Sequence, residues 1–91
     1  MLEENKKFIV AKQLLRAGTV IGASIREAQN AESKADFIHK LKIAAKEADE
    51  AEYWLMICKC SKNYPFNDSL LESVKEIIKI LSKIISTSKS N

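Results

Sequence analysis

Chain breakers are almost missing from this sequence, which has two glycines and one proline in 91 residues. An all-β sandwich or barrel needs a turn about every 8–12 residues, so this supply excludes one and predicts long helices. Histidine occurs once, at His39, and cysteine twice, at Cys58 and Cys60. One histidine cannot build the paired carboxylate-x-x-His ligands of a di-metal bundle within one chain. Asp36-Phe37-Ile38-His39 therefore reads as a surface pair, with Asp36 placed to serve a helix N-terminus. Cys58-Lys59-Cys60 lacks the two-residue gap and the second pair of a zinc site, and Cys58 reads as a small core residue. Neither glycine follows a strand, so there is no phosphate-cradling loop, and no nucleophile stands near a base. On this inventory we expect no enzyme, no catalytic residue, no cofactor, no metal and no small-molecule substrate.

A strong charge of one sign is also missing. The formal net charge is +3, from 15 basic and 12 acidic residues. Residues 1–32 carry five basic and four acidic groups, residues 33–65 six and five, and residues 66–91 four and three, so each third is +1. Along the chain there is neither a basic tail nor an acidic block. The polar start, Met1-Leu2-Glu3-Glu4-Asn5, has no signal-peptide pattern, and no run reads as a membrane span. The expectation is a cytoplasmic chain with reduced thiols and no membrane partner.

What is present is hydrophobic periodicity, in a composition 46% apolar and 30% charged. In residues 4–28, Phe8, Ala11, Leu15, Gly18, Gly22 and Ile25 recur at alternating three and four residues, with Leu14, Ile21 and Ala28 beside them. Gly18 and Gly22 sit four apart in that stripe. Each costs about 1 kcal/mol of helix propensity relative to Ala, so close approach of another backbone is expected there. Residues 29–32 read as a turn, with Ser33 and Asp36 as a capping box for a second helix over 34–62. That helix carries Phe37, Leu41, Ala44, Ala48, Ala51, Leu55 and Cys58 in heptad spacing. Trp54 and Ile57 lie off the seam and suggest a second contact. Pro65 within residues 63–67 marks the next turn, and Ser69 with Glu72 a second capping box. The third helix, 68–86, has a broad stripe of Leu70, Leu71, Val74, Ile77, Ile78, Leu81, Ile84 and Ile85, followed by a polar tail expected to fray.

These readings predict one all-α domain over residues 1–91, an antiparallel up-and-down helical bundle. Its apolar faces exceed what three helices cover, so self-association follows. Among polar residues, Glu47, Asp49, Glu50 and Glu52 read as a solvated face with ion pairs from Lys42, Lys46 or Arg26. A basic stripe of Lys12, Arg16 and Arg26, extended by Lys34, Lys42 and Lys46, is the candidate surface for RNA or DNA phosphates.

The run from Gln13 to Gln29, containing Gly18-Thr19-Val20-Ile21-Gly22 and Ile25-Arg26-Glu27-Ala28, resembles a known family. Asp36 to Ala44 and Glu52-Tyr53-Trp54-Leu55 resemble it too. The family is that of four-helix-bundle proteins encoded in intervening sequences of bacterial large-subunit ribosomal RNA genes, often labelled ribosomal proteins. Accessory proteins of diversity-generating retroelements are similar. The likeness covers most of residues 8–85. It implies an up-and-down four-helix bundle assembled as a homopentamer, nucleic-acid binding through basic residues, and no enzymatic activity. It also implies close packing at Gly18, Gly22 and Ile25, polar links among Arg26, Glu27 and Glu47, and contact of Trp54 with a neighbour. Members have a further helix before the position of Phe8, so this chain is expected to lack the first helix and to leave a groove open. A protein-binding adaptor, taking a partner's helix against Ile78 and Leu81, is the alternative function.

Overall fold

The computed structural model describes residues 2–61 and 68–90, of which residues 2–4, 6 and 90 are described in backbone only. All regular structure among them is helical: α1 is Leu2–Gln29, α2 is Lys34–Cys60 and α3 is Asp68–Ser90. The expected turn at 63–67 lies outside the described residues.

α1 ends in short-range bonds. The Asn30 and Ala31 amides donate to the Glu27 and Ala28 carbonyls, and the Asn30 side chain donates to the Arg26 carbonyl at 3.0 Å. Four residues later Ser33 caps α2 in extended backbone, its Oγ accepting from the Asp36 amide at 3.0 Å. That bond satisfies one orphan donor of the first turn, as the Ser33/Asp36 spacing predicts. α2 stops at Cys60, two residues short of expectation, where the Ser61 amide donates back to the Cys58 carbonyl. Two further expectations need correction. Ser69 lies inside α3 rather than at its cap, because the helix begins at Asp68. The helix runs through Ser90, four residues past the bound expected at 86.

The helices are antiparallel in sequence. Ala28 of α1 packs with Leu41 and Ala44 of α2 and Leu81 of α3, while Ala17 packs with Ala51, Leu55, Leu71 and Val74. α2 is the centre of the fold. Its Ala44 and Ala48 are wholly buried and Leu41, Ala51, Leu55 and Cys58 nearly so. This alanine seam lets both neighbours come close, and larger side chains from α3 fill the space between. Leu71, at 2% exposed, is the largest fully buried side chain, and burial of a leucine is worth about 1.5–3 kcal/mol.

The backbones of α1 and α3 each come close to that of α2 and stay apart from each other, so the two meet only through side chains. The Cα atoms span 50 × 19 × 14 Å. Three helices about 9.5 Å apart in a flat layer would measure roughly 24 Å by 5 Å in cross-section, whereas three corners of a square give roughly 18 Å by 12 Å. The observed section is closer to the corner arrangement than to a flat layer, and it leaves an apolar corner open between α1 and α3.

The buried face of α1 is not the one its glycines suggest. Val10, Ala17, Ser24 and Ala28 are buried, with Leu14 and Ile21 packed beside them. Phe8 and Leu15 are 70% and 73% exposed, and Gly18 and Gly22 are exposed with them. The two stripes are neighbours on one helix and nearly equal in apolar content. The alanine seam of α2 selects the one with the matching small residue, Ala17.

Candidate functional site

Two surfaces emerge from this arrangement. The first is the open corner. A groove of about 310 Å³ runs between α1 and α3, walled by Leu14, Gly18, Ile21 and Gly22 on one side and Leu70, Val74 and Ile77 on the other. Ala51 and Leu55 of α2 form its floor. A Cβ added at Gly18 or Gly22 would meet nothing within 4 Å, so within the protomer no backbone approaches them. The expected close packing at these glycines is therefore not an intrachain contact. Exposed Leu70 and Ile84 on α3 and Phe8 and Leu15 on α1 extend the apolar area. Ile25 is half-buried and packs with the Ala28 and Leu41 cluster. Leu81 is buried in that same cluster, and Ile78 packs against the one around Ala17. These two side chains hold α3 to the protomer and do not line the groove.

The second surface carries the basic residues, and the fold divides them. Arg16 is committed to α2: its Nη1 donates to Glu47 Oε2 at 3.3 Å and its Nη2 to Glu50 Oε2 at 3.4 Å. Nη2 also lies 3.0 Å from Glu47 Oε1, a buried oxygen placed off the line of a hydrogen bond. The Arg16 hydrogen bond holds the Glu47 carboxyl below its usual range against the opposing effect of burial, and the Arg16 guanidinium is raised in return. The link expected between Arg26 and Glu47 is thus made by Arg16. Glu27 pairs with Lys40 at 3.1 Å, not with Arg26. Both corrections follow from the antiparallel register, which places Arg26 beside the start of α2 and Glu47 farther along it.

Lys12, Arg26, Lys34, Lys42 and Lys46 are exposed. Lys42 meets Lys89, and this like-charged neighbour holds its ammonium below the ordinary lysine value. Lys89, in the last turn of α3, was absent from the sequence-based stripe because 47 positions separate it from Lys42. Lys42 and Lys46 also border a shallow concavity of about 600 Å³ on α2, with Asp49, Glu50, Tyr53 and half-buried Trp54. The two rings stand edge to face with centroids 5.7 Å apart. Cations and aromatics together suit nucleic acid, but Asp49 and Glu50 lie between them, so this concavity is of mixed sign.

No group of three or more potential metal ligands gathers among the described residues. Cys58 is buried, and burial raises its thiol above the usual value, while Cys60 is exposed. The reading that no run is long and apolar enough for a membrane span needs correction. α1 from Lys7 to Gln29 is, by length and composition alone, apolar enough to cross a bilayer, and little of it is buried in the protomer. Its small residues and its second apolar stripe supply that excess.

The described residues thus form an all-α fold with an apolar groove open between α1 and α3. More particularly, residues 1–86 match the model of the 23S rRNA-intervening sequence protein family, and the chain belongs to that family. It is also similar to a crystal structure of a protein of unknown function from the S23 ribosomal protein family of Bacteroides thetaiotaomicron VPI-5482. The identity is 48% and the TM-score 0.75, over 92% of this chain and 80% of that one. None of the curated proteins matches.

Proposed function

We propose that this chain is a non-enzymatic, self-assembling helical protein whose oligomer offers a cationic surface to RNA or DNA. The observation that carries the reading is the groove between α1 and α3, apolar on both walls and on its floor. The chain supplies both halves of a fit. Gly18 and Gly22 are open holes, and Leu15 and Phe8, on the same helix, are exposed knobs. A helix from a second copy fills the fourth corner at bundle spacing, which restores the four-helix arrangement typical of such packing. A closed ring of five is the stoichiometry that the family resemblance favours, and such a ring would multiply the +3 of each protomer.

Light scattering across a concentration series tests the assembly, with Leu15→Asp beside the wild type. A multiple of the 10.2 kDa protomer is expected, reduced by the substitution. A wild type that stays at 10.2 kDa throughout overturns it. Capture of a different protein's helix by such a monomer would favour the adaptor reading instead. Exposed Leu70 and Ile84 are the side chains to substitute for that purpose, since Leu81→Asp would break the core.

A further inference from the structure

Folding sorts the charge that the sequence spreads evenly. The cluster of Ala28, Leu41, Ala44 and Leu81 marks one half of the 50 Å molecule, made of residues 22–46 and 79–90. That half holds eight basic and three acidic side chains, a formal +5. One of the three acids, Glu27, is paired with Lys40. The other half, residues 7–21, 47–61 and 68–78, holds five basic and seven acidic, a formal −2. An antiparallel chain superposes its first, second and third segments end on end. Thirds that each read +1 therefore stack into a basic pole and an acidic one.

Two features at the basic pole are unfavourable in the free protein. Lys42 and Lys89, exposed on different helices that the antiparallel topology brings to the same end, are like-charged neighbours. Lys34 sits in the first turn of α2, where the helix dipole disfavours a cation. Conflicts of this kind collect at functional sites, because a ligand relieves them. A phosphate group between Lys42 and Lys89 removes the repulsion, and a neighbouring phosphate of the same strand would answer Lys34.

We propose that the pole formed by Lys34, Lys42, Lys83 and Lys89, rather than the flank of α1 with Lys12 and Arg16, binds the phosphate backbone of nucleic acid. This rests on the nucleic-acid part of the proposed function and names its site. Arg16 is excluded because Glu47 and Glu50 occupy it. The end of the molecule, about 19 Å across, spans roughly five or six nucleotides of one strand at about 3.4 Å each. Contact with phosphates alone gives little sequence preference.

The test is fluorescence anisotropy with a labelled RNA and a DNA of the same sequence over a range of salt. Vesicles rich in anionic lipid are titrated in parallel. The wild type is compared with a pole variant (Lys42→Gln, Lys83→Gln, Lys89→Gln) and a variant of the other half with the same charge change (Lys7→Gln, Lys12→Gln, Lys75→Gln). An arginine version of the pole variant controls for packing, and circular dichroism checks helicity. The expected result is at least about tenfold weaker binding by the pole variant, with a salt slope shallower by about two to three, since each lost phosphate contact removes roughly 0.7–0.9. The other variant keeps near wild-type affinity, and the arginine version recovers it. Equal weakening of both glutamine variants overturns the pole and leaves the nucleic-acid reading standing. A wild type that binds neither nucleic acid, or binds only vesicles, overturns both.

Discussion

The two apolar stripes of α1 have similar composition and opposite fates. Val10, Ala17, Ser24 and Ala28 are sealed against α2, while Phe8, Leu15, Gly18 and Gly22 face outward. The sealed stripe is the one whose small residues match the alanines of α2, so backbones approach and dispersion contacts are dense. The open stripe has the larger side chains and the two glycines, a combination suited to a helix not present in the protomer. Apolar periodicity shows that a face is to be covered, and packing partners decide what covers it.

The contrast can be broken at its buried side first. Leu71→Ala removes the largest fully buried side chain, and we expect a loss of about 2–5 kcal/mol in denaturant unfolding. A value below about 1 kcal/mol would mean that α3 is not held through this core. On the open side, Leu15→Asp should change protomer stability by no more than about 0.5 kcal/mol, as is usual for an exposed position, yet shift assembly to much higher concentration.

Gly18→Ala sharpens the comparison through the sign of its effect. With nothing within 4 Å, the added methyl should raise protomer stability by roughly 0.5–1 kcal/mol through helix propensity and still weaken assembly by filling the hole. Stabilisation together with unchanged assembly would remove Gly18 from the interface.

The smallest effect is set by pH. The Glu47 carboxyl is held below its ordinary 4.5 in the folded protein. Its contribution is therefore complete above that value and declines as pH falls below it. Glu47→Gln should flatten this acid limb of a stability profile slightly, and an unchanged limb would show that Arg16 and Glu47 are not coupled in solution.

Much of the fold was legible in the spacing. The α2 seam from Leu41 to Cys58 appears as read, because a helix flanked on two sides has one unambiguous stripe. The Ser33 cap was legible because its partner lies three residues away. α1 was read one stripe off, since the competing face differs in size rather than in polarity. The membership in the intervening-sequence family was legible from the Gly-Thr-Val-Ile-Gly run and is matched over residues 1–86. The candidate surface was legible only in part. Lys42 and Lys46 lie close in sequence, but Lys89 joins Lys42 through an antiparallel return that local spacing does not encode. The sorting of charge into poles is likewise a property of topology, invisible when counting along the chain.

The central claim is that the open corner is filled by another copy of this chain. The most direct measurement is the solution mass of the wild type by light scattering, taken from dilute to concentrated. The account predicts a stable multiple of 10.2 kDa, near five protomers. A single species at 10.2 kDa over the whole range would contradict it.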